Sequence, residues 1–350
     1  MNLSGLGEYS RRVIRGLLEY GKDIKVRAVT PEIRLNFLRS DRYEIYTSRH
    51  LLERIYFRFF PPASFFDGMD IFHGLSAHMP LNIPRGVGKV VTVHDLIYRL
   101  YPQWFSPVDR LSYHWRTGYA VRNSDIVVAI SRWTARTIEE IFSIDGERIK
   151  IIHPICSEVF FEARSLGRKP KGFVQEDYLL FVGNLEPRKN VHTLLRALAI
   201  LGKRGVPIVT VGRGKKAYLE KLRRIADKGN VEWIHLGYRP MEEVLYLMAH
   251  ARAFVYPAIV EGFGMPVVEA MAAGAPVITS RGSGLDDAAG DAAIQVDPDS
   301  EEEIAHAIER LLYDEELSQR LKEEGRLHAL RFHPRSIVPQ LLELYRKISE

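Results

Sequence analysis

Two carboxylates stand close together in the stretch EGFGMPVVEAMAAGAPVITS, at Glu261 and Glu269. Between them Gly262, Phe263 and Gly264 form a short loop, where the glycines let the backbone approach a ligand closely. Pro266 suits a first helical turn and Gly274 a helix stop. Ala253–Tyr256 (AFVY) reads as a buried strand ahead of the loop, and Pro276–Thr279 (PVIT) as the next strand. The free N–H groups at such a helix start make an anion site, and phosphate is the usual guest. One carboxylate in the loop and another a turn into the helix can accept from the paired hydroxyls of a sugar or a ribose. Alternatively, Glu261 caps the helix and Glu269 is a solvated face residue. The weakly polar run Ala270–Ala273 beside Glu269 counts against plain solvation. Pattern alone leaves both readings open.

A second group is cationic. Arg188 and Lys189 follow Gly183-Asn184-Leu185, between an expected strand and an expected helix. They are charge-assisted donors of the kind that meets developing negative charge. Left solvated at a helix N-terminus they would oppose the helix dipole, which argues for an anion there. A third group lies in the first half, where His94-Asp95 ends the run VTV and Ser131-Arg132 ends IVVAI. A His-Asp pair alone is more often structural, but ligands of open parallel sheets bind at the carboxyl ends of strands. Nothing reads as an Asp-x-Asp pair holding a metal between phosphates, and the 12 histidines show no metal-ligand spacing.

The elements that must hold these groups alternate between apolar strands and amphipathic helices, the pattern of parallel α/β domains. In the first half, residues 25–29, 70–73, 89–93, 125–130 and 148–152 read as strands. In the second half, 178–182, 207–211, 232–235, 253–256, 276–279 and 292–296 do. A polar stretch with glycine and proline, EARSLGRKPKG at 162–172, suggests a domain boundary near Ala163–Gly172. The 350 residues suffice for two domains, and 27% charged with 46% hydrophobic residues is a globular composition. With one cysteine, Cys156, no internal disulfide can form, which fits a reducing cytoplasm. Cys156 reads as a small buried residue. No segment of these residues reads as a signal peptide or as an apolar run of transmembrane length. A net charge of +5 favours anionic partners, and no nucleic-acid motif accompanies it.

Five ordered segments carry a family resemblance: VTVHDLIYRLYPQWFS (91–106), IVVAISRWTAR (126–136), FVGNLEPRKNVHTLLRAL (181–198), HLGYRPMEEVLYLMAHARAFVYPAIVEGFG (235–264) and the two-glutamate stretch (261–280). They resemble retaining nucleotide-sugar glycosyltransferases, most closely glycosyltransferase family 4 (group 1), with mannosyltransferase-like members nearest by pattern. The resemblance implies a GT-B fold, with two Rossmann-like doubly wound parallel-sheet domains facing across a cleft. The first would span 1–168, completed by a C-terminal helix at 334–350, and the donor domain 173–333. It implies transfer of a hexose, of mannose or glucose type, from GDP-mannose or a UDP-sugar to a glycan or lipid-linked acceptor, with retention of configuration. Glu261, His94, Lys189 and Arg188 would be the catalytic set. Glu269 would hold the donor ribose, Gly264, Phe263 and Met265 would line the sugar pocket with backbone N–H groups, and Gly183 and Gly7 would lie in glycine loops. With these cations no metal or other cofactor is required.

Two departures accompany the resemblance. Relatives commonly carry a Pro-Glu pair where this chain has Asp286-Asp287, so donor contacts from that loop are not assigned. Gly5-Leu6-Gly7 resembles a first glycine loop, yet only Met1–Ser4 precede it where a central strand is expected; a truncated start is the expectation, against a sheet that closes up with one strand fewer. Arg49–Phe66 mixes basic and aromatic residues and could rest on an anionic membrane. An amphipathic helix packing its apolar side on the sheet is the favoured reading of this stretch. The chain is expected to be cytoplasmic, at most contacting the cytoplasmic membrane face. The competing readings are another GT-B enzyme, such as a sugar-nucleotide epimerase or a glycan phosphorylase, and a catalytically impaired nucleotide-sugar-binding protein. A dinucleotide oxidoreductase is disfavoured, because Gly5-Leu6-Gly7 lacks the third glycine and a preceding strand.

Overall fold

The computed structural model describes residues 5–29, 41–46, 56, 58–202 and 206–349. The chain divides into two compact units, Met1–Ile155 with Pro334–Glu350, and Cys156–His333.

The second unit is built on a six-stranded parallel sheet. Its strands are β7 (Leu179–Val182), β8 (Ile208–Val211), β9 (Trp233–Gly237), β10 (Ala253–Tyr256), β11 (Val277–Ser280) and β12 (Ile294–Val296), in the order β12-β11-β10-β7-β8-β9. Strands β8, β10 and β11 are buried at every position. That is why they read as short continuous apolar runs: both faces of a parallel sheet are covered by helices. Leu180 pairs with Val209 on one side and Phe254 on the other. The chain thus builds outward from β7 in one direction, then returns to β10 and builds in the other. The crevice at the carboxyl ends of β7 and β10 is the topological switch point where such sheets bind ligands. Ser300 and Asp314 cap the helices Glu301–Tyr313 and Glu315–Ala329 by accepting from Glu303 N and Leu317 N. Acidic first turns add to the same helix-dipole match.

The first unit holds a four-stranded parallel sheet in sequential order: β3 (Ile71–Gly74), β4 (Gly88–Val93), β5 (Ile126–Ala129) and β6 (Ile149–Ile151). A separate two-stranded parallel sheet joins β1 (Val26–Val29) to β2 (Tyr43–Tyr46). Among the described residues no ladder connects the two sheets. Val91, Val93, Leu96, Val127, Ala129, Ile138 and Phe142 form the core on β4 and β5. The last helix, Pro334–Ser349, packs on Gly5–Tyr20. Gly16 makes that contact close, because a Cβ there would lie 2.6 Å from Val338 Cγ2.

Several expectations change. The strand Tyr43–Tyr46 was not foreseen; YEIY is short and half polar. The division falls at Ile155–Cys156, not within 163–172. Residues 163–166 form a helical turn that packs on the helix Met241–His250, and Arg168 N donates to Glu242 O at 2.8 Å, so this polar stretch lies on the second unit. Gly5-Leu6-Gly7 is no loop: the helix Gly5–Tyr20 begins at Gly5, and Gly7 sits in its first turn. Met1–Ser4 lie outside the described residues, as do 49–55 and 57 of the basic aromatic stretch; Ala63–Phe66 within it form a 3-10 turn with both phenylalanines buried. No helix among the described residues is long and apolar enough to cross a membrane.

Candidate active site

The groups singled out in the second half meet at the switch point. After β7 the chain turns through Pro187–Lys189, passes Asn190 in the left-handed region and starts the helix Val191–Leu201. After β10 it runs through Glu261 to the helix Met265–Ala273. Ile259 N donates to Arg188 O at 2.9 Å and ties the two loops together. Lys189 is only 8% exposed, so it is no solvated basic turn. Its Nζ donates to the Tyr256 hydroxyl at 2.6 Å and forms an ion pair with Glu261 Oε1. Arg188 Nη1 reaches the same oxygen at 3.1 Å, and its Nε lies 3.3 Å from Glu186. The Tyr256 hydroxyl donates to Glu261 Oε1 at 3.2 Å.

Three donors therefore converge on one carboxylate oxygen. No hydrogen bond or ion pair of a described residue reaches Oε2. Burial alone would raise the Glu261 pKa, but Lys189 and Arg188 outweigh it and hold the carboxyl below its ordinary range. Burial likewise pulls Lys189 below its ordinary value, against the attraction of Glu261. The four charged groups, Glu186, Arg188, Lys189 and Glu261, balance to zero. Glu261 does not cap the helix, whose N-cap, Gly264, has no side-chain bond.

The loop geometry needs its glycines. Gly264 has φ 113°, and a Cβ there would come within 2.5 Å of Leu285 Cδ2. Gly284 donates to Glu261 O at 3.0 Å, and a Cβ on it would strike Gly262 O at 2.1 Å. Two backbones touch here without side chains between them. Phe263 turns its ring into the core, edge-on to Phe332 at 5.3 Å, so it can serve a ligand only through its backbone. Met265 opens the helix, where the leading N–H groups have no intrahelical acceptor. Glu269 lies one turn further along, half-buried, and its charge reaches Tyr256. Gly183 directly follows β7 and its N–H donates to Val211 O at 2.9 Å.

In the first unit His94 follows β4. Its Nε2 lies 2.9 Å from Leu75 O, and the Tyr9 ring meets it edge-on at 4.6 Å. A carbonyl only accepts, so Nε2 carries the proton and Nδ1 keeps a lone pair. Burial lowers the His94 pKa to about 4, so the ring is neutral at physiological pH. Behind it His73 bridges Tyr345 of the last helix at 2.6 Å and Thr92 at 2.8 Å. Ser131 caps the helix Arg132–Phe142 by accepting from Thr134 N. Cys156 is buried, and its N–H donates to Phe332 O at 2.8 Å.

Three features escaped the sequence reading. Tyr256 was absorbed into an apolar strand; its signal is a phenol at the carboxyl end of a central strand. Gly212–Lys216, GRGKK, also follows a strand, and its Arg213 O accepts from Leu185 N at 2.7 Å, which sets a basic loop beside Gly183-Asn184-Leu185. Asp297-Pro298-Asp299 is an Asp-x-Asp pair after all, but it makes a turn in which Asp299 N donates to Asp297 Oδ1 at 2.9 Å.

Comparison with known proteins gives the same class. Residues 3–156 match "Glycosyltransferase Family 4" and residues 165–328 match "Glycosyl transferases group 1". The chain thus belongs to the family 4 (group 1) glycosyltransferases and has the GT-B fold. It is 29% identical over 287 residues to O-antigen chain mannosyltransferase B of Escherichia coli, covering 79% of this chain and 74% of that one. It is 28% identical over 232 residues to O-antigen chain mannosyltransferase RfbU of Salmonella typhimurium, covering 65% of this chain and 62% of that protein's length. The crystal structure of WaaG, a glycosyltransferase involved in lipopolysaccharide biosynthesis, superposes with a TM-score of 0.74 at 20% identity, over 99% of this chain and 97% of that one.

Proposed function

We propose that this chain moves a hexose, mannose before glucose, from a nucleoside-diphosphate sugar to a glycan or lipid-linked acceptor, with retention of configuration. The observation that carries the reading is the convergence of Arg188 and Lys189 on Glu261, which lies in the loop leading into the helix Met265–Ala273. Breaking the sugar–phosphate bond develops positive character at the sugar and negative charge on the leaving diphosphate. Arg188, Lys189 and the leading amides of the helix meet that diphosphate charge, so that no metal is required. Glu261, with Oε2 open, takes sugar hydroxyls near the reacting carbon. Glu269 holds the donor ribose. The amides at Phe263, Gly264 and Met265 line the sugar side, and Gly183 lets the backbone approach the phosphates. In the first unit, His94 is neutral and keeps an Nδ1 lone pair that can accept from a hydroxyl. Mannose is preferred because the two relatives described above, among others, are named mannosyltransferases. Such a transferase would act in the cytoplasm, with any lipid-linked acceptor presented at the membrane face.

Calorimetric titration with GDP, UDP and ADP tests the donor site, with Glu269→Ala as the control. One diphosphate binding at micromolar Kd, and weakened by Glu269→Ala, supports the reading, and GDP points to a mannosyl donor. Absence of binding to all three refutes it.

A further inference from the structure

Tyr256 is the only member of the charged cluster that both accepts and donates. The ammonium and guanidinium only donate, and the carboxylate only accepts. We infer that Tyr256 is a positioning residue of the transfer reaction, its hydroxyl setting the separation of the Lys189 ammonium and the Glu261 carboxylate. This rests on the transferase reading above.

The argument is mechanical first. Lys189 and Glu261 stand on a 3-10 turn and a loop, whereas Tyr256 ends a central strand. Its ring is 1% exposed and stacks on Phe181 at 5.4 Å and on Phe254 at 6.0 Å, with interplanar angles of 11° and 12°. Thr279 Oγ1 donates to its carbonyl at 2.9 Å. The hydroxyl is thereby fixed by the core, and two loop side chains take their places from it. Packing does not need this oxygen, since phenylalanine would keep both stacks. Tyr178 in the same unit shows the ordinary alternative: its hydroxyl ends on a backbone carbonyl, Leu247 O, at 3.0 Å. Tyr256 instead bonds to two ionised side chains, and bonds to charged groups are the stronger ones.

Tyr256→Phe tests the assignment, with Tyr178→Phe as the structural control. A bond of this kind contributes a factor of about 10 to 100 when it acts in the transition state. The expected result is a kcat lower by that factor with GDP-mannose or whichever sugar nucleotide the wild type uses. KM and diphosphate affinity should stay within about threefold, and Tm should fall no further than in the control. Unchanged kcat overturns the inference. So does a loss shared between kcat, KM and Tm, which is general damage. A second measurement is independent of turnover: trace acylation of Lys189 by acetic anhydride across pH. Tyr256 accepts from the charged amine, so its hydroxyl favours the ammonium form. Glu261, Glu186, Arg188 and Glu269 also act on this group or on Tyr256, and they are unaltered in the variant. Lys189 in Tyr256→Phe should therefore acylate at lower pH, with its midpoint down by about one unit. An identical midpoint overturns the inference. If the wild type transfers no sugar at all, the transferase reading fails by itself, and the acylation midpoint still decides whether Tyr256 holds Lys189.

Discussion

Replacing Glu261 with glutamine removes one negative charge from between two positive ones and keeps the shape of the side chain. The Glu261 side chain is 13% exposed and its partner Lys189 10%, so water replaces little of the lost charge. Removing one partner of a buried pair costs about 3–5 kcal/mol, because the other charge is left uncompensated. The amide keeps an acceptor oxygen for Tyr256 and Lys189, which places the cost near the lower figure, about 3 kcal/mol. For a unit of this size that corresponds to a Tm lower by about 6–12 °C. The effect on ligand binding has the opposite sign. On the proposed reading a diphosphate takes Arg188 and Lys189 away from Glu261 in the wild type, and in Glu261→Gln it finds them unneutralised. GDP or inorganic pyrophosphate should bind the variant about tenfold more tightly, a gain of about 1.4 kcal/mol, and restore much of the lost Tm. On the proposed reading turnover should fall by at least about 100-fold, since Glu261 would no longer offer the sugar a carboxylate. Calorimetry and thermal melts with and without pyrophosphate measure all three. A variant that binds diphosphate more weakly than the wild type, or melts no lower, refutes the view that Glu261 and the diphosphate compete for the same cations.

Other outcomes follow from the same geometry. His73 and His94 have pKa values lowered by burial to about 3 and about 4, from an ordinary 6.5, and the charge of His94 adds to the shift at His73. A depressed folded-state pKa means stability that is complete above pH 6.5 and lost as pH falls toward 4 and then 3, so melts of the intact chain should show the first unit weakening across that window. Gly284→Ala should cost about 3 kcal/mol, because its Cβ would meet a backbone oxygen that no side-chain rotation can move; an unchanged melt would contradict the backbone contact. Ser131→Ala removes a helix cap and should cost about 1 kcal/mol, read as a Tm lower by about 2–4 °C, with diphosphate binding unaltered.

Much of the fold was legible in the sequence because fully buried parallel strands leave a plain mark. AFVY and PVIT have no polar alternation to confuse them, and the glycines at 264 and 274 mark helix ends through their positive φ. The pairing of Glu261 with Arg188 and Lys189 was not legible. Each residue reads naturally as waiting for a ligand, and only the packing shows that they hold one another. Gly5-Leu6-Gly7 misled because glycine is weighed as a loop former, while the helix Gly5–Tyr20 absorbs it into a first turn. The polar stretch at 162–172 misled in the same way: it is punctuation by composition, yet the backbone of Arg168 is pinned to Glu242.

The order in which the chain visits its sheet has a consequence for how the protein folds. Lys189 leaves β7 early, and Glu261 arrives only after β8 and β9 have been laid down on the other side. The ladder that joins them pairs Leu179 with Ala253, 74 positions apart (253 − 179). Contacts of such separation are paid for in closure entropy and form late. Refolding chains should therefore acquire helical signal well before they can bind a diphosphate, and nucleotide affinity becomes a clock for the last step of folding.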